Sequence, residues 1–454
     1  MKVLLGYNSA LLKNFPDKAE IFYDTKKLIS GHICLSGKSG SGKTFTIKKI
    51  LNLLQEAALK ENGKSLRIHV IDVHGDIDIE GASSVKFSES TDFGFNPLII
   101  NKNPDFGGVR KRIQSFISSL NRTGFKLGAN QEATLRNLLV DLYAANGIYE
   151  KDPNSWDIRK TGRKNPTIED LDRFTNAKMK SMFLGTSGSG NNSCISSLEK
   201  VNRLQNKLFR KIKNSSKSNK EELEKIEDEL DKVKQECIEQ FTNYVNSITT
   251  GHELDDLLKY DSFDVMKSLS NKISNLNSIG IFKNKSPPFE SNKNIWRYDI
   301  KSLEADEKAL FVSFLCEQLF LRAVQRGEQD DVVEIIVLDE AHLFVNDDPK
   351  NPINVIAKEA RKFGLALLAA SQSPTHFSDD FLSNVSTKII LGVDQIYWSN
   401  CINRLKIPEE ALKWIIFHKR ILIQINCKGD VKNEFLWSYN SKEIYEQLNR
   451  NRQT

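Results

Sequence analysis

The stretch Gly37-Lys38-Ser39-Gly40-Ser41-Gly42-Lys43-Thr44 constrains this chain more than any other. It has the spacing G-x-x-x-x-G-K-T, the phosphate-binding loop pattern. Its flanks fit that reading. His32-Ile33-Cys34-Leu35 is short and apolar, as a buried strand should be, and from Phe45 to Gln55 the residues Ile47, Ile50, Leu51 and Leu54 fall at helical spacing. Strand, glycine-rich loop and helix in this order let backbone N–H groups converge on phosphate oxygens at a helix N-terminus. In such a loop Lys43 reaches the β- and γ-phosphates and Thr44 holds Mg²⁺. The candidate nucleotide-binding residues are therefore Gly37, Ser39, Gly40, Ser41, Gly42, Lys43, Thr44 and Phe45, with ATP and Mg²⁺ as cofactors.

A second buried strand follows at Leu66–Asp72 and ends in Asp72-Val73-His74-Gly75-Asp76. Strand, helix and strand over this length predict a right-handed βαβ unit. Ligands collect at the C-terminal edge of parallel strands, so Asp72 and Asp76 either face the nucleotide or cap their own loop. A third apolar run, Val332 to Leu338, ends in Asp339-Glu340-Ala341-His342. Downstream of a phosphate loop, an apolar strand ending in Asp-Glu reads as a Walker B element. Asp339 then belongs to the Mg²⁺ shell, and Glu340 orients and polarises the attacking water. Further strands are expected at Lys2–Leu5, Ile21–Tyr23, Arg297–Ile300, Leu365–Ala370 and Lys388–Gly392, with a terminal hairpin from Arg420–Asn426 and Phe435–Tyr439. Gln372, just past the Leu365–Ala370 strand, is positioned to sense the γ-phosphate. A helix from Pro352 to Phe363, stopped by Gly364, carries Arg361 in its last turn. Arg361 either complements the negative helix end or serves as an arginine finger toward a neighbouring subunit.

Between the two strand-rich halves the pattern is helical. Leu135, Leu138, Leu139 and Leu142 share one face, and Thr167 with Asp170 has the spacing of a helix cap. Thr186 to Ser193 reads as a flexible Gly/Ser/Asn linker. From Leu198 to Ile248 the pattern is a helical hairpin. One arm carries Leu198, Val201, Leu204, Leu208 and Ile212. The other carries Leu223, Ile226, Leu230, Val233 and Cys237, with Asn214–Asn219 as the turn. This is a coiled-coil seam, on either a solvated hairpin or an arm that grips a partner. The expected organisation is residues 1–100 and 295–454 as two parts of an α/β core, with 101–294 as a helical insertion.

Composition bounds the rest. Of the 454 residues 27% are charged, and the net charge of +6 permits a polyanionic partner without demonstrating one. No apolar run approaches membrane-spanning length, which predicts no stable membrane insertion, and the start of the chain lacks a signal-peptide pattern. The six cysteines are scattered without a C-x-x-C pair, as in a reduced cytoplasmic protein.

The ordered set of motifs resembles the HerA–FtsK superfamily of ring-forming DNA-pumping ATPases, closest to the HerA branch and the related conjugation and secretion ATPases. The residues carrying the resemblance are Gly31–Thr44, Ile71–Asp76, Asn96-Pro97-Leu98, Tyr298–Leu303, Val337–His342, Ala360–Gly364 and Ser371–Pro374. It implies a RecA-like P-loop NTPase core and a homo-oligomeric ring, usually a hexamer. It further implies ATP at subunit interfaces and double-stranded DNA through the channel. Lys43, Thr44, Asp339 and Glu340 match the Walker residues, Gln372 the sensor and Arg361 a candidate finger. Two positions depart from the family pattern: Ser373 stands where an Arg is usual, and Asp76 where a Glu is usual. The stretch before residue 37 is too short for the N-terminal β-barrel that docks a nuclease in HerA proteins. The expected activity is ATP-driven DNA translocation with a separate effector such as a nuclease, in antiviral or plasmid defence or in DNA processing. The alternatives are a secretion or conjugation motor, or an ATP-switched scaffold.

Overall fold

A computed structural model describes residues 1–450 except Lys13, Lys64, 185–188, 214–219, 248–258, 261–262 and 431–432. The chain forms two compact units, Met1–Phe95 with Lys283–Thr454, and Asn96–Phe282.

The first unit is built on an eleven-stranded sheet in the order β2-β1-β11-β10-β9-β3-β8-β7-β4-β6-β5. The strands are β1 (Lys2–Asn8), β2 (Glu20–Asp24), β3 (Ile33–Gly37), β4 (Arg67–Asp72), β5 (Ser83–Lys86), β6 (Ile295–Asp299), β7 (Glu334–Leu338), β8 (Leu365–Ser371), β9 (Thr387–Gly392), β10 (Arg420–Ile425) and β11 (Leu436–Tyr439). From β9 to β5 every neighbouring pair is parallel, and β10, β11, β1 and β2 continue the sheet antiparallel. The expected strands are all present, while β5 was not anticipated. The connection from β3 through the helix Lys43–Asn62 to β4 does not join neighbours, since β8 and β7 lie between them.

Burial explains the apolar runs. All seven residues of β8 and all five of β7 are buried, as in a sheet covered on both faces. Ile47, Ile50, Leu51 and Leu54 of the helix after β3 pack with Ile33, Leu35, Val337, Ala366, Leu368 and Ala370. The alternate residues of β8 therefore face the opposite layer.

One buried polar group crosses this core. On β4, His69 Nδ1 lies 2.9 Å from the Tyr298 hydroxyl and Nε2 lies 2.9 Å from Glu334 Oε1. Arg326, at the end of the helix Ala305–Arg326, donates to Glu334 Oε2 at 2.6 Å. Burial holds the His69 pKa down, so the ring is neutral, with Nε2–H donating to Glu334 and Nδ1 accepting from Tyr298. Burial also pushes the Glu334 carboxyl up, but the bonds from His69 and Arg326 outweigh it and hold the pKa at about 2.

In the second unit Leu135, Leu138, Leu139 and Leu142 are buried on the helix Ala129–Ala145. Thr167 and Asp170 form a reciprocal cap on Ile168–Leu184, with the Asp170 N–H donating to Thr167 Oγ1 and the Thr167 N–H to Asp170 Oδ2. The linker expected at Thr186–Ser193 is corrected in part. Thr186–Gly188 lie outside the described residues, but Ser189 opens the helix Ser189–Lys213. Once the amphipathic face downstream is helical, propagation upstream costs far less than nucleation, and weak helix formers are carried along. This helix packs against Lys220–Ser247, where Ile226 and Leu230 are buried, whereas Leu198 and Ile212 are exposed. The turn expected at Asn214–Asn219 lies outside the described residues. Among the described residues no helix is long and apolar enough to cross a membrane.

Removing one partner from a buried ion pair leaves an uncompensated charge. Glu334→Gln is therefore expected to lower stability by about 3 kcal/mol at neutral pH, read as a shift in the urea midpoint. Because the folded pKa is depressed, the contribution of Glu334 is complete above the ordinary value of 4.5 and is lost as pH falls toward about 2. The difference between wild type and variant should shrink over that acid window and stay constant above it.

Candidate nucleotide site

The register of three parallel strands gathers the site. Ser36 of β3 pairs with Ser371 of β8, and Leu338 of β7 pairs with Ala369 of β8. The chain therefore leaves β3 at Gly37, β8 at Gln372 and β7 at Asp339-Glu340 along one sheet edge. There Lys43 Nζ donates to the Gly37 carbonyl at 2.9 Å and lies 3.5 Å from Glu340 Oε1. Gly40 and Gly42 take left-handed backbone, with φ of 76° and 93°. A Cβ on Gly42 would stand 2.7 Å from the His418 ring, and at φ 93° any side chain is strained, so the position favours glycine.

Glu340 itself has φ 46°, unusual for a side-chain-bearing residue, and is buried. Its Oε2 lies 3.2 Å from His342 Nδ1, off-line for a hydrogen bond, and among the described residues neither buried atom has a hydrogen-bond partner. Burial opposes ionisation of Glu340, but His342, Lys43 and His74 outweigh it and hold its pKa below the ordinary value. Asp339 goes the other way. Burial, then the charges of Glu340 and Asp76, push it up to about 6.

Asp339, Asp72 and Asp76 each offer a carboxylate oxygen, all within 4.8 Å of one another. Their roles differ. The Asp72 carboxylate accepts from the N–H groups of His74, Gly75 and Ile77 and pairs with Arg297 at 2.7 Å, so it caps the loop that presents Asp76. Asp339 and Asp76 retain free capacity. The fit to a nucleotide with a divalent cation is good: burial and crowding by Glu340 and Asp76 raise the Asp339 pKa, which a bound cation would offset, and among the described residues the buried Ser41 Oγ in the phosphate loop has no hydrogen-bond partner.

The other expected residues divide. Ser39 and Phe45 are exposed at the loop, Thr44 is half-buried at the helix start, and Gln372 is exposed at the end of β8 between the two motifs. Ser373, where an Arg was the family's usual residue, is buried and caps the short helix Pro374–His376. Arg361 is not in this site. It lines a cleft of about 850 Å³ with Ser30, Gly31 and Val332, at the N-terminal edge of the strands. That edge is roughly 20 Å from the phosphate loop, the length of one strand. Sequence reasoning missed His376, whose ring lies 5.0 Å from that of His342 and whose Nδ1 is 2.9 Å from Ser371 Oγ. It also missed Arg297 as the partner of Asp72. An arginine beside an apolar strand position was a signal for a buried acid, but not for which one.

A parallel sheet that presents a phosphate loop and an Asp-Glu pair at one edge, with a third strand between them, defines a RecA-like P-loop NTPase fold. More narrowly, the chain belongs to the HerA helicase family: the description "Helicase HerA, central domain" matches residues 15–319, more than half of the chain and ending before Asp339. It is 33% identical over 129 residues to the "Probable helicase MJECL08" of Methanocaldococcus jannaschii, covering 22% of this chain and 25% of that protein. It is 38% identical over 63 residues to the "DNA double-strand break repair helicase HerA" of Pyrococcus furiosus, covering 13% of this chain and 11% of that protein. The matches thus span a quarter or less of these relatives' length. In fold, the chain is similar to VirB4 of Thermoanaerobacter pseudethanolicus, with TM-score 0.59, 14% identity and 98% of each chain covered. It is also similar to the plasmid coupling protein TrwB in complex with ADP and Mg²⁺, with TM-score 0.51, 11% identity and 96% and 94% covered.

The two glycines give a graded prediction. A Cβ on Gly40 meets nothing within 4 Å, so Gly40→Ala carries only the left-handed backbone cost and should weaken nucleotide binding by about tenfold. Gly42→Ala adds the collision with His418 and should weaken binding beyond about a hundredfold. Equilibrium titration with a fluorescent nucleotide checks the order, and equal losses would contradict it.

Proposed function

We propose that the protein is a ring-forming, ATP-hydrolysing DNA translocase of the HerA type that acts with a separate effector such as a nuclease. The carrying observation is the approach of Lys43 to Glu340, 3.5 Å apart, with Asp339 beside them on the same edge. Phosphoryl transfer to water needs positioning and charge neutralisation more than covalent chemistry. Backbone N–H groups from Gly37 to Thr44 cradle the phosphates, and Lys43 neutralises charge on the β- and γ-phosphates. Thr44 and Asp339, with Asp76 as a further carboxylate nearby, would hold Mg²⁺, which would supply Lewis-acid neutralisation when bound. Glu340 accepts hydrogen bonds from the attacking water and orients it, its carboxylate kept ionised by its neighbours. Gln372, exposed at the end of β8, contacts the γ-phosphate or that water.

Arg361 cannot act on the nucleotide of its own chain, because it lies at the opposite strand edge. A finger role for it requires a neighbouring subunit and supports the ring reading. DNA as the transported polymer rests on family membership; the net charge of +6 permits a polyanionic partner. The effector and a defence role rest on family analogy alone.

The test is the steady-state ATPase rate with and without linear double-stranded DNA, at low and moderate salt, beside Lys43→Ala and Glu340→Gln. The expected result is stimulation by DNA that weakens as salt rises and disappears in both variants. A wild-type rate indifferent to DNA at low salt would remove the translocase reading and leave an ATP-switched scaffold or a protein-secretion motor.

A further inference from the structure

We propose that the helical hairpin of the second unit is a docking surface for a second copy of this chain, the basic edge of one hairpin lying against the acidic edge of the next. This deepens the ring reading and rests on it. The first arm, Ser189–Lys213, contains a single acid, Glu199, which lies 2.6 Å from Lys180. The second arm, Lys220–Ser247, is rich in Glu and Asp. Their exposed charges include two rows: Arg203, Lys207 and Arg210 on the first arm, and Glu224, Glu227 and Asp231 on the second.

The two rows cannot meet within one chain. The arms pack through Ile226 and Leu230, which are buried, and Val201, Leu204, Leu208 and Val233, which are half-buried. At ~100° per residue each row spans about 60° of its helix and stands about 125° round from that seam, so the rows point outward in opposite directions. Among the described residues Lys207, Arg210, Glu224 and Glu227 have no ion-pair partner. Arg203 stands one turn beyond Glu199, and Asp231 pairs with Lys234 at 3.0 Å. Exposed contacts of that kind contribute little and exchange easily.

The rows also match in height. Arg210, Lys207 and Arg203 stand 3, 6 and 10 residues before the Lys213 end of the first arm, and Glu224, Glu227 and Asp231 stand 4, 7 and 11 residues after the Lys220 start of the second. The offset is one residue throughout, about 1.5 Å. The seam keeps the same register: Leu208, Leu204 and Val201 on one arm, and Ile226, Leu230 and Val233 on the other, recede from those ends at intervals of four and then three. Copies related by rotation about one axis carry each residue at one height and radius. Residues level with each other inside a hairpin are therefore level between neighbouring hairpins. Side by side, neighbours bring Arg210 to Glu224 of the partner subunit, Lys207 to Glu227 of the partner subunit and Arg203 to Asp231 of the partner subunit. The contact joins unlike edges, so it is head-to-tail, the kind that closes a ring. A row of cations alone would suit a nucleic acid equally well. The acids at matching heights are what favour a second copy, because they would repel a polyanion. Flanking charges on paired helices set which partner is accepted and in what orientation.

Sedimentation velocity of the full chain over a range of concentrations, with and without Mg²⁺ and ATP, tests this. Reversing the first row (Arg203→Glu, Lys207→Glu and Arg210→Glu) or the second (Glu224→Lys, Glu227→Lys and Asp231→Lys) sets like charges together at every interface. Either should raise the concentration for half-assembly by about tenfold or more at low salt. Near 1 M salt, where the screening length is about 3 Å, the gap from wild type should close. All six reversals in one chain, or an equimolar mixture of the two triple variants, should restore assembly to within about threefold of wild type, because unlike edges meet again. Loss without rescue would assign the charges to the hairpin's own stability and overturn the contact. If a triple variant loses helicity by circular dichroism, Lys207→Glu and Glu227→Lys, one change per arm, are compared alone and combined in the same way. A first-row reversal that weakens binding of labelled double-stranded DNA and leaves assembly unchanged would give that row to DNA and overturn the proposal. If wild type assembles and the variants match it, the hairpin contact falls and the ring stands. If wild type stays monomeric throughout, the ring reading falls and the contact falls with it.

Discussion

Lys43 and Glu340, far apart in the chain, meet at 3.5 Å because β3, β8 and β7 run parallel, adjacent and in a register that ends them together. The chemistry of the first unit depends on that register. A shift of one residue in β8 would turn its alternate residues to the other face and move Gln372 out of line with Gly37. The complete burial of β3, β7 and β8 makes such a slip prohibitive, since each strand has apolar partners on both faces. Hydrophobic packing thus fixes an electrostatic arrangement it does not touch.

The edge so formed is electrostatically tense. Asp339 is pushed up to about 6 by burial and neighbouring carboxylates, whereas Glu340, one residue on, is held below the ordinary value by cationic neighbours. Two adjacent acids driven in opposite directions suit different tasks: one meets a cation, the other stays ionised beside water. Glu340 pays for its place with a left-handed backbone, a cost of about 1–3 kcal/mol that must be offset by the surrounding core. Asp72 contributes differently. Its carboxylate is saturated by three backbone N–H groups and Arg297, so its negative charge builds a rigid loop, and the neighbouring Asp76 is what that loop displays.

Much of this was legible in the sequence, for local reasons. The phosphate loop declares itself by glycine spacing, and β8 by an unbroken apolar run, Leu365 to Ala370, that suits a doubly covered sheet. The Thr167–Asp170 cap is written within four residues. What escaped was non-local or masked by composition. β5, Ser83–Lys86, alternates small, polar and apolar residues and is a strand only because β6 pairs with it. The placement of β8 and β7 between β3 and β4 has no signature in any of the four segments. The pairing of Asp72 with Arg297 joins residues of two adjacent strands from distant parts of the chain. His418, at φ 62°, has no sign in the sequence, because a positive φ leaves no compositional mark on a histidine as it often does on a glycine.

The position of Arg361 carries the assembly argument. Nucleotide and arginine occupy opposite edges of one sheet, so a contact between them must join unlike surfaces of two subunits. A two-fold dimer pairs like with like and cannot satisfy this at a single interface. A head-to-tail arrangement can, and it either closes into a ring or propagates as a filament. In the proposed ring each interface holds one nucleotide edge and one arginine edge. Hydrolysis at any site then alters a contact between two subunits rather than a shape within one. That coupling is what the proposed motor needs, and the separation of Lys43 and Arg361 along the strands is compatible with it.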